Sequence, residues 1–236
     1  MNKTKFHKQG FETISNIYSN QEINELIRVL ESLDTENSNF RKTKDLFAIR
    51  QFLKEVPEIK GLIFNDRLKQ LVEKHFGKDY FMVKSIYFDK PPASNWFVSY
   101  HQDLSISVNK KEMISGYTNW TIKKDQFGVQ PPLEILENIF TIRIHLDDTD
   151  ENNGALKVIP KSHTKGIYRP ENIDWTIEKE VICHVPKGGI MLMKPLLLHS
   201  SSRTINHQRR RVVHLEFSNK NLAKNLDWAE KIDFTS

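Results

Sequence analysis

The chain has 236 residues, 38% of them hydrophobic and 28% charged, with a formal charge of +5 and a single cysteine, Cys183. This length suits one undivided domain, 1–236, and the composition is that of a soluble globular protein with no run near the roughly 18 apolar residues of a membrane span. One cysteine excludes an internal disulfide and a multi-thiolate zinc site, so any metal must be held by histidine and carboxylate.

The opening MNKTKFHKQGFETIS lacks the apolar core of a secretory signal, which makes the cytoplasm the expected location. Ser19, with Glu22 three residues on, reads as a capping box. Ile23, Leu26, Ile27 and Leu30 then recur at helical spacing and predict an amphipathic helix over about 21–32. A second helical pattern runs from Ile59 through Leu62, Ile63, Leu68, Leu71 and Val72 to Phe76. It is interrupted near Asn65-Asp66, where either residue can cap a new helix, and Gly77 is a stop. The stretch 1–79 is thus expected to be mainly helical.

From about Tyr80 the signals change to short β-rich runs. Phe81 to Phe88 is the first, Pro91-Pro92 breaks it, and Phe97 to Tyr100 leads into His101. Residues 104–137, with Gly116, Trp120, Gly128 and Pro131-Pro132, show no clear periodicity and are expected to be a lid or substrate-binding insertion. Alternation returns in Ile139 to Leu146, with Thr141, Arg143 and His145 on one face. Asp147 to Gly154 supplies a turn, in which Asp147 and Asp148 are suited to backbone hydrogen bonding. Leu156 to Ile159, Glu180 to Val185, Ile190 to Leu192 and Arg210 to Phe217 read as further strands, with Gly188-Gly189 as a hairpin turn between two of them. Helices first and strands afterwards suggest an α+β chain. Its core, 80–218, is expected to be a jelly roll, that is, a cupin-like double-stranded β-helix, with the N-terminal helices packed on one sheet.

The chemistry-bearing residues lie on that β-rich part. His101 and Asp103 are two apart in an extended segment, so an imidazole and a carboxylate can point to one ion. His199, after the apolar run Leu196-Leu197-Leu198, read as the end of a strand, supplies a second imidazole. Two histidines and one carboxylate on one face of a metal are the ligands of non-haem Fe(II) oxygenases, in which the other positions stay open. Arg210 carries a permanent, planar charge suited to a dicarboxylate. On its strand, Arg210, Val212 and His214 share one face and Arg211, Val213 and Leu215 the other. An inward Arg210 needs an anionic partner, whereas Arg209 and Arg211 are expected to face solvent.

Three ordered stretches, YFDKPPASNWFVSYHQD, IRIHLDDTDENNGALKVIPKSH and HSSSRTINHQRRRVVHLEF, resemble the phytanoyl-CoA dioxygenase family of Fe(II)- and 2-oxoglutarate-dependent oxygenases. The resemblance spans about 86–217 and departs from the family at Lys161, where a Gly usually stands. It implies that His101, Asp103 and His199 hold Fe(II) and that Arg210 pairs with the distal carboxylate of 2-oxoglutarate, assisted by the Ser201 hydroxyl. It also places Gln102 and Arg143 against the cosubstrate, and Arg50, in FAIRQ, is a further candidate. The implied reaction consumes 2-oxoglutarate and O2, releases succinate and CO2, and oxidises a small-molecule substrate. In halogenating relatives a small residue replaces the carboxylate, so Asp103 points to hydroxylation.

Structural alternatives stand beside several of these residues. His145 and His163 read as hydrogen-bonding strand and loop residues, His184 and His207 lack motif context, His214 reads as a core residue, and Trp96 and Trp120 as packing. Two other functions compete: a non-catalytic jelly-roll protein that binds a ligand, and a nucleic-acid demethylase with the same iron chemistry. The basic residues form no track interleaved with aromatics, so no nucleic-acid partner and no membrane partner is expected.

Overall fold

In a computed structural model of the chain, which describes residues 4–33, 40–43, 47–92, 94–123, 126–223 and 225–233, the helices are α1 (Lys5–Gln9), α2 (Asn20–Glu31), α3 (Phe52–Glu55), α4 (Lys60–Ile63), α5 (Asp66–Phe76) and α6 (Leu133–Glu137). α2 starts where the capping box places it. Ser19 Oγ accepts from the Glu22 N–H at 3.2 Å, and the Glu22 carboxylate accepts from the Ser19 N–H at 2.7 Å. The break at Asn65 separates α4 from α5: Asn65 Oδ1 accepts from the Leu68 N–H at 2.9 Å, and Gly77 ends the second helix. Among the described residues, no helix is long and apolar enough to cross a membrane.

The strands are β1 (Phe11–Ile14), β2 (Phe40–Lys42), β3 (Phe47–Arg50), β4 (Phe81–Lys90), β5 (Val98–His101), β6 (Ile106–Val108) and β7 (Thr118–Lys123). They continue with β8 (Gln126–Gln130), β9 (Phe140–His145), β10 (Leu156–Val158), β11 (Val181–Ile182), β12 (Ile190–Met193), β13 (His199–Ser201) and β14 (Arg210–Ser218). Every pairing is antiparallel. One sheet has the order β1-β12-β9-β14-β4-β3-β2, a second β11-β10-β13-β5, and a third β6-β8-β7. The first two make the expected cupin-like double-stranded β-helix.

Period-two alternation sorts the large sheet into two chemistries. Its outer face presents Ile142, Ile144, Ile190, Leu192, Val213 and Leu215, which form one apolar cluster with Ile23 and Leu26 of α2, Phe52 and Leu53 of α3, and Leu68 and Val72 of α5. The residues between them, Arg143 on β9 and Arg210, His214 and Glu216 on β14, line a cavity together with His199 and Ser201 of the small sheet. The helices therefore anchor one side of the sheet and leave the other for polar groups.

Within 1–79, β1 and the paired β2 and β3 stand beside helices α1 to α5 and extend the large sheet at its two edges. Residues 104–137 contain the three-stranded sheet and α6. Two expectations are corrected. Gly188-Gly189 forms no hairpin; β11 and β12 belong to different sheets, and the turn carries the chain from one to the other. Leu196 and Leu197 lie in a turn closed by the Leu197 N–H on Lys194 O at 3.0 Å, and the strand begins at His199 rather than ending there.

Arg211 also departs from its expected solvent-facing position. It is buried at the large sheet's outer face, where Nε and Nη2 donate to the two Asp147 oxygens at 2.9 and 2.7 Å and Nη1 reaches Glu31 of α2 at 3.2 Å. A paired charge can be buried where a lone one cannot. Arg209 is exposed as expected, with Nε donating to Asp89 at 2.9 Å.

Candidate metal centre

His101, the last residue of β5, and His199, the first of β13, are register partners on neighbouring strands, and their ring centroids lie 4.2 Å apart. In both rings Nδ1 is 2.9 Å from the carbonyl two residues earlier, Ser99 O for His101 and Leu197 O for His199. A carbonyl can only accept, so each Nδ1 carries the proton and each Nε2 presents a lone pair. Both Nε2 atoms lie 3.7 Å from Asp103, one from each carboxylate oxygen. The Asp103 N–H donates to Pro195 O at 2.9 Å, which fixes the chain just past β5. One ligand atom from each of the three side chains falls within 4.8 Å of the others, close enough to share one ion.

Charge states agree with that use. Burial pushes the His199 imidazole down to about 4, against the pull of Asp103, so it is neutral and ligand-competent at pH 7. Burial opposes the Asp103 charge, but His199, His214, His101 and Lys84 hold its carboxyl at about 2. Two imidazoles and one carboxylate, with no further histidine, cysteine or acid in the group among the described residues, suit a divalent transition metal that keeps open positions.

Beside these ligands lies a cationic floor. Arg210 faces inward and is 4% exposed; Nη1 donates to Gly154 O at 2.5 Å, and Nε is buried without a partner. Arg143 is also buried, with Nη1 donating to His214 Nδ1 at 3.1 Å and Nε likewise unpartnered. Among the described residues neither arginine has a carboxylate partner. Burial, reinforced by the Arg143 charge, lowers Arg210 to about 9. Burial and the nearby Arg210 lower Lys90, whose Nζ donates to Ser202 O at 2.6 Å, to about 7. A buried, unneutralised guanidinium costs several kcal/mol, about the cost that an anion seated against it would remove. Both arginines, Ser201 and the three candidate ligands line one cavity of about 260 Å³, whose other walls include Ile86, Phe88, Trp96, Val98 and Leu156.

The remaining candidates divide. Ser201 is buried on β13 in this cavity, and Arg50, on β3, lines it too. Gln102 does not reach it, because the residue between His101 and Asp103 points the other way. Its Nε2 donates to Gly166 O at 2.9 Å and Leu196 O at 2.6 Å, and its Oε1 accepts from the Tyr168 N–H at 2.8 Å. Gln102 thus ties the segment between two ligands to two loops. Among the other histidines, His145 shares its Nδ1 with Thr149 Oγ1 at 2.8 Å and His184 pairs with Glu151 at the surface.

Sequence reading missed a polar chain next to Asp103. His214 Nδ1 accepts from Arg143, so its Nε2 donates to Glu216 at 3.2 Å, and Glu216 accepts from Lys84 at 2.8 Å. Inward alternation on β14 links His214 and Glu216 to Arg210, a signal present in the sequence. The partnership with Lys84 on β4 is long-range and left no local trace.

The sequence matches the model of a family described as Phytanoyl-CoA dioxygenase (PhyH) over residues 6–212. No curated protein matches the chain. Among solved structures, the chain is similar to AviO1 from Streptomyces viridochromogenes Tue57, with a TM-score of 0.64, 18% identity and 91% of each chain covered. It is similar to SnoK, a non-heme alpha ketoglutarate dependent carbocyclase from nogalamycin biosynthesis, with a TM-score of 0.67, 14% identity and coverage of 92% of this chain and 84% of that one. HygX from Streptomyces hygroscopicus, solved with nickel, 2-oxoglutarate and hygromycin B bound, gives 0.63, 16%, 90% and 84%. At such identities these likenesses speak for the fold.

Proposed function

Because the chain belongs to the phytanoyl-CoA dioxygenase family, we propose that it is an Fe(II)- and 2-oxoglutarate-dependent dioxygenase that hydroxylates a small-molecule metabolite and releases succinate and CO2. The observation that carries this reading is a single cavity holding a two-histidine, one-carboxylate cluster and the buried Arg210, which has no carboxylate partner among the described residues.

His101, Asp103 and His199 would hold the iron through two Nε2 lone pairs and a carboxylate. Iron with 2-oxoglutarate supplies the oxidising power drawn from dioxygen. Arg210, oriented by Gly154 O, would neutralise the distal carboxylate of 2-oxoglutarate, with the Ser201 hydroxyl in the same cavity. Arg143 adds a second buried positive charge, and His214 holds it in place. Ile86, Phe88, Trp96, Val98 and Leu156 would give the reacting centre apolar walls. Asp103 occupies the position whose carboxylate distinguishes hydroxylation from halide transfer. A small-molecule substrate is in keeping with HygX, solved with hygromycin B bound.

The test is succinate formation that requires Fe(II), 2-oxoglutarate and O2, followed by tracing isotopically labelled O2 into the product. Label in the product supports hydroxylation. Succinate with an oxidised but unlabelled product would retain the iron chemistry and overturn the hydroxylase assignment.

A further inference from the structure

The three-stranded sheet β6-β8-β7 has one apolar face and one polar face. Its register pairs Ile106 with Val129, and Phe127 with both Val108 and Ile122. The intervening positions pair Gly128 with both Ser107 and Thr121, and Gln126 with Lys123. Register partners share a face and successive residues alternate, so Ser107, Thr121, Lys123 and Gln126 stand together. Ile106, Val108 and Val129 on the other face are buried with Trp228 and Leu226.

This polar face borders a second cavity, of about 360 Å³, which Leu104, Ile106 and Phe127 also line and which shares Arg50, Lys84, Ile86 and Asp103 with the cavity at the metal cluster. Its size is near the lower end of ligand pockets, roughly 300–1,000 Å³. Lys84 of β4 ties the residue just before β6 to β14, with Nζ donating to Ser105 O at 2.9 Å and to Glu216 at 2.8 Å. Gly128, in the middle of the polar rows, leaves bare backbone over which two hydroxyls close. A Cβ there would lie 2.6 Å from Thr121 Oγ1 and 3.1 Å from Ser105 Oγ.

An apolar acyl chain laid on this surface would strand the hydroxyls and the Gln126 amide without partners, which weakens binding. A hydrophilic molecule would satisfy them. Arg50, Lys84, Lys123 and Asp103 border the cavity; Lys84 is neutralised by Glu216 at 2.8 Å, and a bound metal would offset the Asp103 charge, which leaves the Lys123 ammonium to face a ligand's carboxylate. Lys123 is exposed on the polar face of β7.

We propose that this polar face is the substrate-recognition surface and that it selects a small hydrophilic carboxylic acid, with its carboxylate at Lys123 and its hydroxyl, amine or amide groups along Ser107, Thr121 and Gln126. The assignment rests on the dioxygenase reading, since it places the reacting end of the molecule beside Asp103.

The test uses the full chain loaded with Ni(II) and 2-oxoglutarate, which allows binding without turnover. Calorimetry is run with a panel of amino acids, hydroxy acids and sugar acids, and with octanoate and octanoyl-coenzyme A. At least one hydrophilic acid is expected to bind ten times or more tighter than either octanoyl probe. Lys123→Ala and Thr121→Val, both at exposed positions, are each expected to weaken it at least tenfold. Tighter binding of an octanoyl probe, no binding from the panel, or hydrophilic binding unaffected by both substitutions overturns the proposal. Failure of the wild-type chain to take up Ni(II) and 2-oxoglutarate would count against the iron reading itself.

Discussion

His101 and His199 face each other across neighbouring antiparallel strands, each ring locked by a 2.9 Å contact from Nδ1 to the carbonyl two residues before it. The metal-binding tautomer is therefore set by backbone, before any metal arrives. Both Nε2 atoms point toward one carboxylate because the two histidines share a register position and Asp103 follows one of them.

The buried His199 should make the metal-free protein acid-sensitive. Its folded-state value of about 4 lies below the unfolded value of about 6.5, so the unfolded chain takes up the proton first. Stability is expected to fall as pH drops from about 6.5 to about 4, by on the order of 3 kcal/mol from this residue. Asp103, held at about 2, contributes stability that is lost only below about 4, outside that window. Urea midpoints of the metal-free protein at pH 7 and pH 4.5 measure the effect. His199→Gln should show a smaller drop, and an equal drop in both proteins would contradict the assignment.

Arg210 should oppose stability in the absence of an anion. Replacing this buried guanidinium with an apolar side chain of similar length removes an unneutralised charge, so Arg210→Met is expected to stabilise the 2-oxoglutarate-free protein by about 1–4 kcal/mol. The same variant should lose at least a hundredfold in 2-oxoglutarate affinity and keep its metal affinity. Melting temperatures with and without 2-oxoglutarate test both effects. A variant that melts lower and still gains stability from 2-oxoglutarate would show that Arg210 has another partner.

Gly154 supports that arginine from behind. Its φ of +86° is a conformation that side chains rarely adopt, and a Cβ would sit 2.6 Å from Ser202 O and 2.8 Å from Lys90 Nζ. Gly154→Ala should destabilise the fold by about 2 kcal/mol or more and shift the carbonyl that Arg210 grips. Chemical denaturation and 2-oxoglutarate titration are expected to change together. An unchanged cosubstrate affinity would mean that the Gly154 contact does not position the arginine.

Gln102 should act on the metal rather than on the cosubstrate. Gln102→Leu leaves two carbonyls and one N–H unpaired and frees the segment between His101 and Asp103. Metal affinity, measured by Ni(II) calorimetry, is expected to fall about 10- to 100-fold. Affinity of the metal-loaded variant for 2-oxoglutarate should be unchanged. The reverse pattern would place Gln102 against the cosubstrate after all.

Local chemistry made α2, α5, β4, β9 and β14 legible, because caps and apolar spacing act over a few residues. β1 and β3, at four residues each, are too short for a period to register, and only their pairing with β12 and β4 makes them strands. The alternation of β6-β8-β7 was hidden by the register shift between Thr118 and Thr121 and the positive φ of Asn119. His101 and Asp103 were visible as neighbours on one segment, and His199 as a further imidazole, but only the pairing of β13 with β5 brings residues so distant together. Arg211 was misread because a basic cluster does not reveal which charge meets Asp147, on a separate turn.

The most direct measurement is an anaerobic titration of the Fe(II)-loaded protein with 2-oxoglutarate, followed by visible absorption. The wild type is expected to develop the weak charge-transfer band of an iron-chelated keto acid, saturating at one equivalent per chain; His199→Ala should lack it, and Arg210→Met should need far more 2-oxoglutarate. No band in the wild type, or an undiminished one in His199→Ala, would contradict an iron site built from His101, Asp103 and His199.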